Sequence, residues 1–306
     1  MQNYVSTGKK ILRHLELLTR FQRTGKIYPI SLQIAPTSKC NLKCSFCSNV
    51  NRNKHENLDR YDIFKIIDHL PSLRTVEWTG GGDPTQYDYI REVIAYAHMK
   101  GLRQGFITNG IDLVESLSYD VHLLDWVRVS LNSLDYVDDI RLPAFNKGIL
   151  GFSYVMNDLT HLHLDKIKEF VKKHNPKYVR IVPNCQTSYA ELKGRNDYFS
   201  ELVGNWGSPY FYQAKSFSKP SRCWWGHFKP FLLHDGFIYP CSSVVLNDTA
   251  ERSFHSKFRW KTISEFIESS NNVAVPYDCK NCTHCVFGEQ NNLVEALIDD
   301  EMEDFI

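Results

Sequence analysis

The stretch that decides how this chain is read runs from Ser31-Leu-Gln-Ile-Ala-Pro36 into Cys40-Asn-Leu-Lys-Cys44-Ser-Phe-Cys47. Its first half is a short apolar run of strand length, so three cysteines gather where a strand ends. A cubane iron–sulfur cluster is normally held by four thiolates, one for each iron. Three thiolates on one short loop therefore leave one iron open to an outside ligand, as a substrate-activating cluster requires. The alternatives are a zinc site or buried thiols, because cysteine is also a common core residue. Zinc sites usually join two Cys-x2-Cys units or Cys with His pairs, and close to this triplet only His55 offers a fourth ligand.

Cys-x3-Cys-x2-Cys with an aromatic residue, Phe46, just before the last Cys resembles the signature of the radical S-adenosylmethionine (SAM) enzymes. The resemblance implies a [4Fe-4S] cluster on Cys40, Cys44 and Cys47, with SAM chelating the open iron. It also implies an electron from a flavodoxin- or ferredoxin-type reductant, cleavage of the sulfonium, and a 5'-deoxyadenosyl radical that abstracts a substrate hydrogen.

The rest of the chain bounds this reading. A length of 306 residues suits one large α/β unit with a smaller module. Lys plus Arg number 36 against 35 Asp plus Glu, a net charge of +1, so no global basic field favours nucleic acid. No apolar run approaches the ~20 residues that span a bilayer, and no signal peptide opens the chain, so a cytoplasmic protein is expected. Eight of the nine cysteines fall into spaced groups, which fits metal ligation better than disulfides. The N-terminal segment interleaves Ile11, Leu12, Leu15 and Leu18 with Lys9, Lys10, Arg13 and Arg20, an amphipathic helix expected to pack on the barrel.

Between residues 31 and 185 strand-like and helix-like stretches alternate, the pattern of a parallel sheet. Strands are expected at Ser31–Ala35, Thr75–Trp78, Arg103–Thr108, Trp126–Leu131, Leu150–Met156 and Tyr178–Val182, with helices at Leu58–Leu70, Gln86–Lys100 and Asp165–His174. The fold class is α/β: a partial (β/α)6 TIM-like barrel with a small C-terminal β-hairpin-plus-helix domain for an auxiliary cluster. The expected divisions are residues 1–30 for the N-terminal helix, 31–205 for the barrel, 206–290 for the auxiliary domain and 291–306 for an acidic tail.

Chemistry in such barrels gathers at the C-terminal strand ends, and the remaining motifs lie there. Thr79-Gly-Gly-Gly-Asp-Pro-Thr85 resembles the family's Gly-Gly-Glu-Pro-Thr, which implies that Gly81, Gly82 and Asp83 receive the amino group of SAM. Asp83 is one methylene shorter than the usual Glu. Thr108 and Asn109 resemble a Thr-Asn-Gly segment, and Ser130-Leu-Asn132-Ser resembles Ser-Leu-Asp-Ser, which places Ser130 and Asn132 toward the ribose or carboxylate of SAM. Asn157 ends a segment implied to contact the ribose or adenine. Each has a bland alternative as a turn or capping residue.

Cys223, Cys241, Cys279, Cys282 and Cys285 form a second set around a hairpin that turns at Asp235-Gly236. The set resembles the SPASM and shorter twitch domains of radical SAM enzymes. Five cysteines suffice for one auxiliary [4Fe-4S] cluster, with Cys223, Cys241, Cys279 and Cys282 as first choice and Cys285 as the alternative; a zinc ribbon suits the same pairs. An auxiliary cluster beside the barrel mouth would accept the electron left on a substrate radical. Cys185 belongs to neither set and is a candidate catalytic hydrogen-atom donor; the plain alternative is an incidental loop thiol. Arg180 is an anion partner if it points into the barrel, which period-2 alternation alone does not decide. The expected activity is that of an oxidoreductase on a small polar molecule such as a sugar, aminocyclitol or nucleotide. A peptide-modifying maturase or epimerase is the second reading, less favoured because some thirty residues before the first strand are too few for a leader-binding domain. A zinc-binding interaction module is the non-enzymatic alternative.

Overall fold

Apolar residues at every second position put one face of each central strand beneath helices, and this alternation organises the chain. The computed structural model describes residues 8–47, 49–50, 53–184, 189–214, 222–245, 255–282 and 285–298. Seven strands run parallel in chain order: β1 (Ser31–Ile34), β2 (Thr75–Trp78), β3 (Arg103–Thr108), β4 (Trp126–Ser130), β5 (Ile149–Val155), β6 (Tyr178–Val182) and β7 (Tyr210–Tyr212). The six expected strands are present with their ends within one residue of expectation. The seventh, Tyr-Phe-Tyr, is half-buried throughout and too short to display a period.

Helix α1 (Leu15–Thr24) precedes β1, and α2 (Arg60–His69), α3 (Ile90–Met99), α4 (Leu113–Leu117), α5 (Thr160–His174) and α6 (Tyr189–Gly204) lie in the connections that follow. Asp59 caps α2 by accepting from the Tyr61 N–H at 2.8 Å. Val76, Trp78, Val127, Val129, Phe152, Val179 and Ile181 from the strands share one core with Ile63, Ile66, Ile94 and Phe170 from the helices. The alternate residues Gln33, Glu77, Arg128, Ser130, Ser153 and Arg180 therefore face the interior side of the sheet. On that side the Trp126 ring fills the space over Gly105, and the Tyr178 ring the space over Gly151.

The C-terminal third contributes β8 (Arg222–Cys223), β9 (Phe231–Leu232), β10 (Phe237–Tyr239), β11 (Lys261–Thr262) and β12 (Tyr277–Asp278). The expected hairpin is β9–β10, with Gly236 at φ 81° in its turn. It extends the main sheet: β9 pairs parallel with β1, and the strand order is β11-β10-β9-β1-β2-β3-β4-β5-β6-β7. β8 and β12 form a separate antiparallel pair.

The N-terminal helix differs from expectation. Ile11, Leu18 and Phe21 join Trp224, Trp225, Phe228 and Val294 in a second core, so α1 packs on the cysteine-bearing region instead of the barrel wall. Leu12 and Leu15 are exposed. The segment expected to begin an acidic tail is instead the end of a helix, Gly288–Ile298, with Val294 fully buried. Among the described residues no helix is long and apolar enough to cross a membrane.

Candidate active site and metal centres

The loop after β1 is closed at its base. Thr37 Oγ1 hydrogen-bonds Asn57 Oδ1 at 2.6 Å, and the Ser38 N–H donates to Glu56 O at 2.9 Å. The intervening chain carries Cys40, Cys44 and Cys47, all partly buried. The Cys47 N–H donates to Cys44 O at 3.2 Å, a turn that sets these two cysteines side by side, and Phe46 is half-buried within it. Burial, reinforced by the neighbouring Cys47 and Cys40, pushes the Cys44 thiol up to about 12. A free thiol there keeps its proton at neutral pH, and metal ligation would displace it.

The glycine-rich turn lies directly on this loop. Gly82 N donates to Thr37 O at 2.9 Å and Asp83 N to Lys39 O at 2.7 Å; a Cβ on Gly82 would collide with the backbone of Ser38 and Lys39. Gly81 faces the His234 ring, whose Cδ2 would stand 2.7 Å from an added Cβ. The Asp83 carboxylate accepts from Thr85 N at 3.0 Å, Thr85 Oγ1 at 2.7 Å, Thr108 Oγ1 at 2.9 Å and Asn109 N at 2.6 Å. Burial raises its pKa, opposed by the Asn109 N–H and the Thr85 and Thr108 donors. Both oxygens are engaged, so Asp83 joins the second strand's loop to the third's.

At the next two strand ends the asparagines are engaged within the protein. Asn132 spans to β5, accepting from Val155 N at 2.7 Å and donating to Val155 O at 2.9 Å. Asn157 donates to Asp135 Oδ2 at 3.1 Å and accepts from Leu159 N at 2.7 Å. The Ser130 hydroxyl makes a long contact, 3.5 Å to Asn132 Oδ1, on the interior side. Tyr154 lies in the core shared with the helices and points its hydroxyl to Asp135 at 3.1 Å. Cys185 lies outside the described residues.

The second cysteine set converges from three segments. Cys223 on β8 pairs in register with Tyr277 on β12, which brings it to Cys279. A hydrogen bond from Cys279 pulls the Cys223 thiol down to about 7 against the cost of burial, helped by the Gly226 and Trp225 N–H groups and by Asn291. The Cys282 N–H donates to Cys279 O at 2.9 Å, the same turn that Cys44 and Cys47 use. Burial, with Cys223 and Cys285 nearby, pushes Cys241 up; burial, with Cys223 and Cys282 nearby, pushes Cys285 up to about 11. All five cysteines are thus neighbours, Cys285 included, and no disulfide links the described cysteines. Among the described residues, no three His, Cys, Asp or Glu side chains are gathered as tightly as a single bound ion would hold them.

The register also locates this set. Phe231 on β9 pairs with Gln33 on β1 and with Tyr239 on β10, so Cys241, two residues further along the returning strand, stands level with the start of β1. Ile27 and Ile30, which precede β1, share a core with Cys223 and Cys279. Cys241 is thus placed toward the start of β1, whereas the triplet follows the end of that strand. The sequence reading had set both at the barrel mouth.

A family model described as the radical SAM superfamily matches residues 34–150, the span that holds the cysteine loop, the glycine turn and the ends of β3 and β4. This part of the chain is similar to radical SAM enzymes. Its similarity extends beyond that span to a cysteine-type anaerobic sulfatase-maturating enzyme of Clostridium novyi, 23% identical over 83% of this chain and 85% of the relative. A shorter match, 32% identical over 35% of this chain and 34% of the relative, is to an S-adenosylmethionine-dependent nucleotide dehydratase of a Fibrobacter species. Among solved structures, Streptococcus suis SuiB bound to precursor peptide SuiA superposes with a TM-score of 0.54 at 15% identity, covering 96% of this chain and 80% of that one; this likeness speaks for the fold.

The radical SAM match and the enzymes among the relatives mark the chain as an enzyme, and enzymes of that superfamily use SAM and a [4Fe-4S] cluster. The cysteine loop suits that group in number of thiols, in burial and in the close approach of glycine backbone beside it. Three residues that tie these regions together escaped the sequence reading. Asp135 gathers Asn132, Tyr154 and Asn157; its place within Ser-Leu-Asn-Ser-Leu-Asp was a signal available in the sequence. His234 pairs with Glu56 at 2.9 Å, joining the β9–β10 hairpin to the cysteine loop. Asn291, fully buried, accepts from the N–H groups of Trp224 and Trp225 at 2.8 and 2.9 Å. Nothing in the local pattern marks these last two, because both partners lie far away in sequence.

Proposed function

We propose that Cys40, Cys44 and Cys47 hold the SAM-binding [4Fe-4S] cluster, that the second cysteine set holds an auxiliary [4Fe-4S] cluster, and that a small polar substrate is oxidised or rearranged between them. When bound, the first cluster and SAM supply a 5'-deoxyadenosyl radical that removes a substrate hydrogen; a flavodoxin- or ferredoxin-type protein delivers the electron. One observation carries the substrate reading: the interior side of the sheet between the two cysteine sets is charged and polar. There Glu77 pairs with Lys229 at 2.6 Å and accepts from Gln33 Nε2 at 2.8 Å. Burial pushes the Glu77 carboxyl up, but Lys229, Arg128 and Gln33 together hold it below the ordinary range. Arg128, Ser153 and Arg180 continue this face, above the Trp126 and Tyr178 rings.

The chain's own residues have separable tasks. The backbone of Gly81 and Gly82 takes the methionine end of SAM, Asp83 and Thr108 hold that backbone in place, and Ser130 faces the ribose or carboxylate. Asn132 and Asn157 shape the strand ends through Asp135. Cys223, Cys241, Cys279 and Cys282 remain the first choice for the auxiliary cluster, with Cys285 within reach; full ligation suits an electron acceptor. Cys185 remains the candidate hydrogen-atom donor, tested by product yield in Cys185→Ala. The divisions at residues 30, 205 and 290 are working boundaries for a barrel and an auxiliary domain.

Anaerobic reconstitution tests the reading. About eight irons per chain, falling to about four in the triple variant Cys40→Ala/Cys44→Ala/Cys47→Ala, is the expected result for two cubanes. Zinc without iron, or no 5'-deoxyadenosine on reduction with SAM, would overturn it. A peptide substrate is the second reading, favoured by the sulfatase-maturating relative that matches along most of its length. Deuterium transfer into 5'-deoxyadenosine from labelled polar metabolites or labelled peptides separates the two.

A further inference from the structure

We propose that the side-chain amide of Asn109 sets the reduction potential of the SAM-binding cluster by donating an N–H to the sulfur of Cys40. Asn109 Nδ2 lies 3.8 Å from Cys40 Sγ and donates to Asn41 Oδ1 at 2.6 Å, one N–H for each acceptor.

Two independent contacts fix which end of the amide faces the sulfur. The Ile111 N–H donates to Asn109 Oδ1 at 2.9 Å, so the oxygen is turned away from the cysteine loop. Asp112, an acceptor when ionised, receives Asn41 Nδ2 at 2.8 Å, which leaves Asn41 Oδ1 facing Asn109 and in need of a donor. The backbone is held as firmly: Asn109 N donates to Asp83 Oδ2 at 2.6 Å, and Ser133 Oγ donates to Asn109 O at 2.5 Å. Asp83 and Ser133 are therefore positioning residues for this amide, and Asn109 acts on a cluster ligand.

Reduction adds negative charge to the cluster and its sulfurs. An N–H directed at a ligand sulfur favours the more negative state, and hydrogen bonds to sulfur are among the determinants of cluster potential. Removing this donor makes the cluster harder to reduce.

The inference rests on Cys40 being a cluster ligand, and the experiment separates the two claims. The holoprotein, reconstituted anaerobically, is titrated with dithionite and mediators under electron paramagnetic resonance without SAM; the relevant signal is the one that later changes when SAM is added. Asn109→Leu and Asn109→Asp should each move its midpoint to more negative potential with iron content unchanged. Asn109→Gln, which retains an amide donor, should fall between them and the wild type. Midpoints equal to wild type in both donor-free variants would overturn the proposal. Should a variant fail to load, wild-type protein labelled with nitrogen-15 in asparagine decides: pulsed resonance of the reduced cluster should show coupling to a side-chain amide nitrogen that persists in Asn41→Ser, and its absence overturns the proposal. A wild type that loads no iron at the triplet would instead refute the assignment of Cys40.

Discussion

Gly82→Ala tests whether the glycine turn must lie against the cysteine loop. A Cβ there would stand 2.5 Å from the Ser38 carbonyl carbon and 2.6 Å from that of Lys39, where packed carbons normally keep about 3.5–4 Å. The obstacle is backbone, so no rotamer change relieves it, and the two loops must separate by roughly 1 Å. Separation stretches the hydrogen bonds from Gly82 N to Thr37 O and from Asp83 N to Lys39 O, now 2.9 and 2.7 Å. Their loss at about 0.5–1.5 kcal/mol each, with about 1–3 kcal/mol of overpacking, amounts to roughly 2–6 kcal/mol. For a chain of this size the melting temperature should fall by on the order of 10 °C. If the loops yield locally instead, the backbone facing SAM moves, and a ~1 Å displacement costs on the order of 100-fold in rate. Calorimetry and single-turnover formation of 5'-deoxyadenosine by the reconstituted protein read both outcomes. Gly101→Ala is the control: its φ is 73° and nothing lies within 4 Å of the added Cβ, so it should lose about 1 kcal/mol and keep the rate. A Gly82→Ala protein with wild-type melting temperature and wild-type rate would refute the reasoning.

Three further outcomes follow from buried polar groups. His227 is buried and its pKa is lowered to about 4, so between pH 6.5 and 4 the folded chain binds fewer protons than the unfolded one. Stability should fall by about 3 kcal/mol as pH drops through that window, and denaturant titrations of His227→Gln should show a flatter acid limb. Lys229→Met strands the Glu77 carboxylate among buried neighbours and should cost about 3–5 kcal/mol; adding Glu77→Gln should restore most of it, measured as a coupling energy in a double-mutant cycle. Asn291→Ala leaves the N–H groups of Trp224 and Trp225 without their acceptor, at about 1–3 kcal/mol each. It should lower the melting temperature and the iron bound by the second cysteine set, leaving the triplet's iron in place.

The strands were legible because each writes its own period. Thr75–Trp78 and Trp126–Ser130 alternate buried and open positions within a few residues, and burial on one face is a local property of sequence. The N-terminal helix shows where that stops. Its apolar stripe was visible, but which surface covers it depends on where the segment around Trp224 comes to rest, and Ile11, Leu18 and Phe21 are buried there while Leu12 and Leu15 are not. The hairpin at Asp235-Gly236 was legible as a turn; its parallel pairing with β1 was not, since strand neighbours far apart in sequence are chosen by packing.

The sequence by itself determined the cysteine triplet, the order of strand-end motifs behind it and hence the similarity to radical SAM enzymes, because each is a short run whose chemistry is carried by adjacent residues. Tertiary structure decided what those residues do to one another. It turned Arg180 inward by burying Val179 and Ile181 beneath helices, drew five cysteines from three segments together, and engaged both oxygens of Asp83 with Thr85, Thr108 and Asn109. Hydrogen-bond geometry and register act over ångströms between residues tens of positions apart, and no local pattern records them.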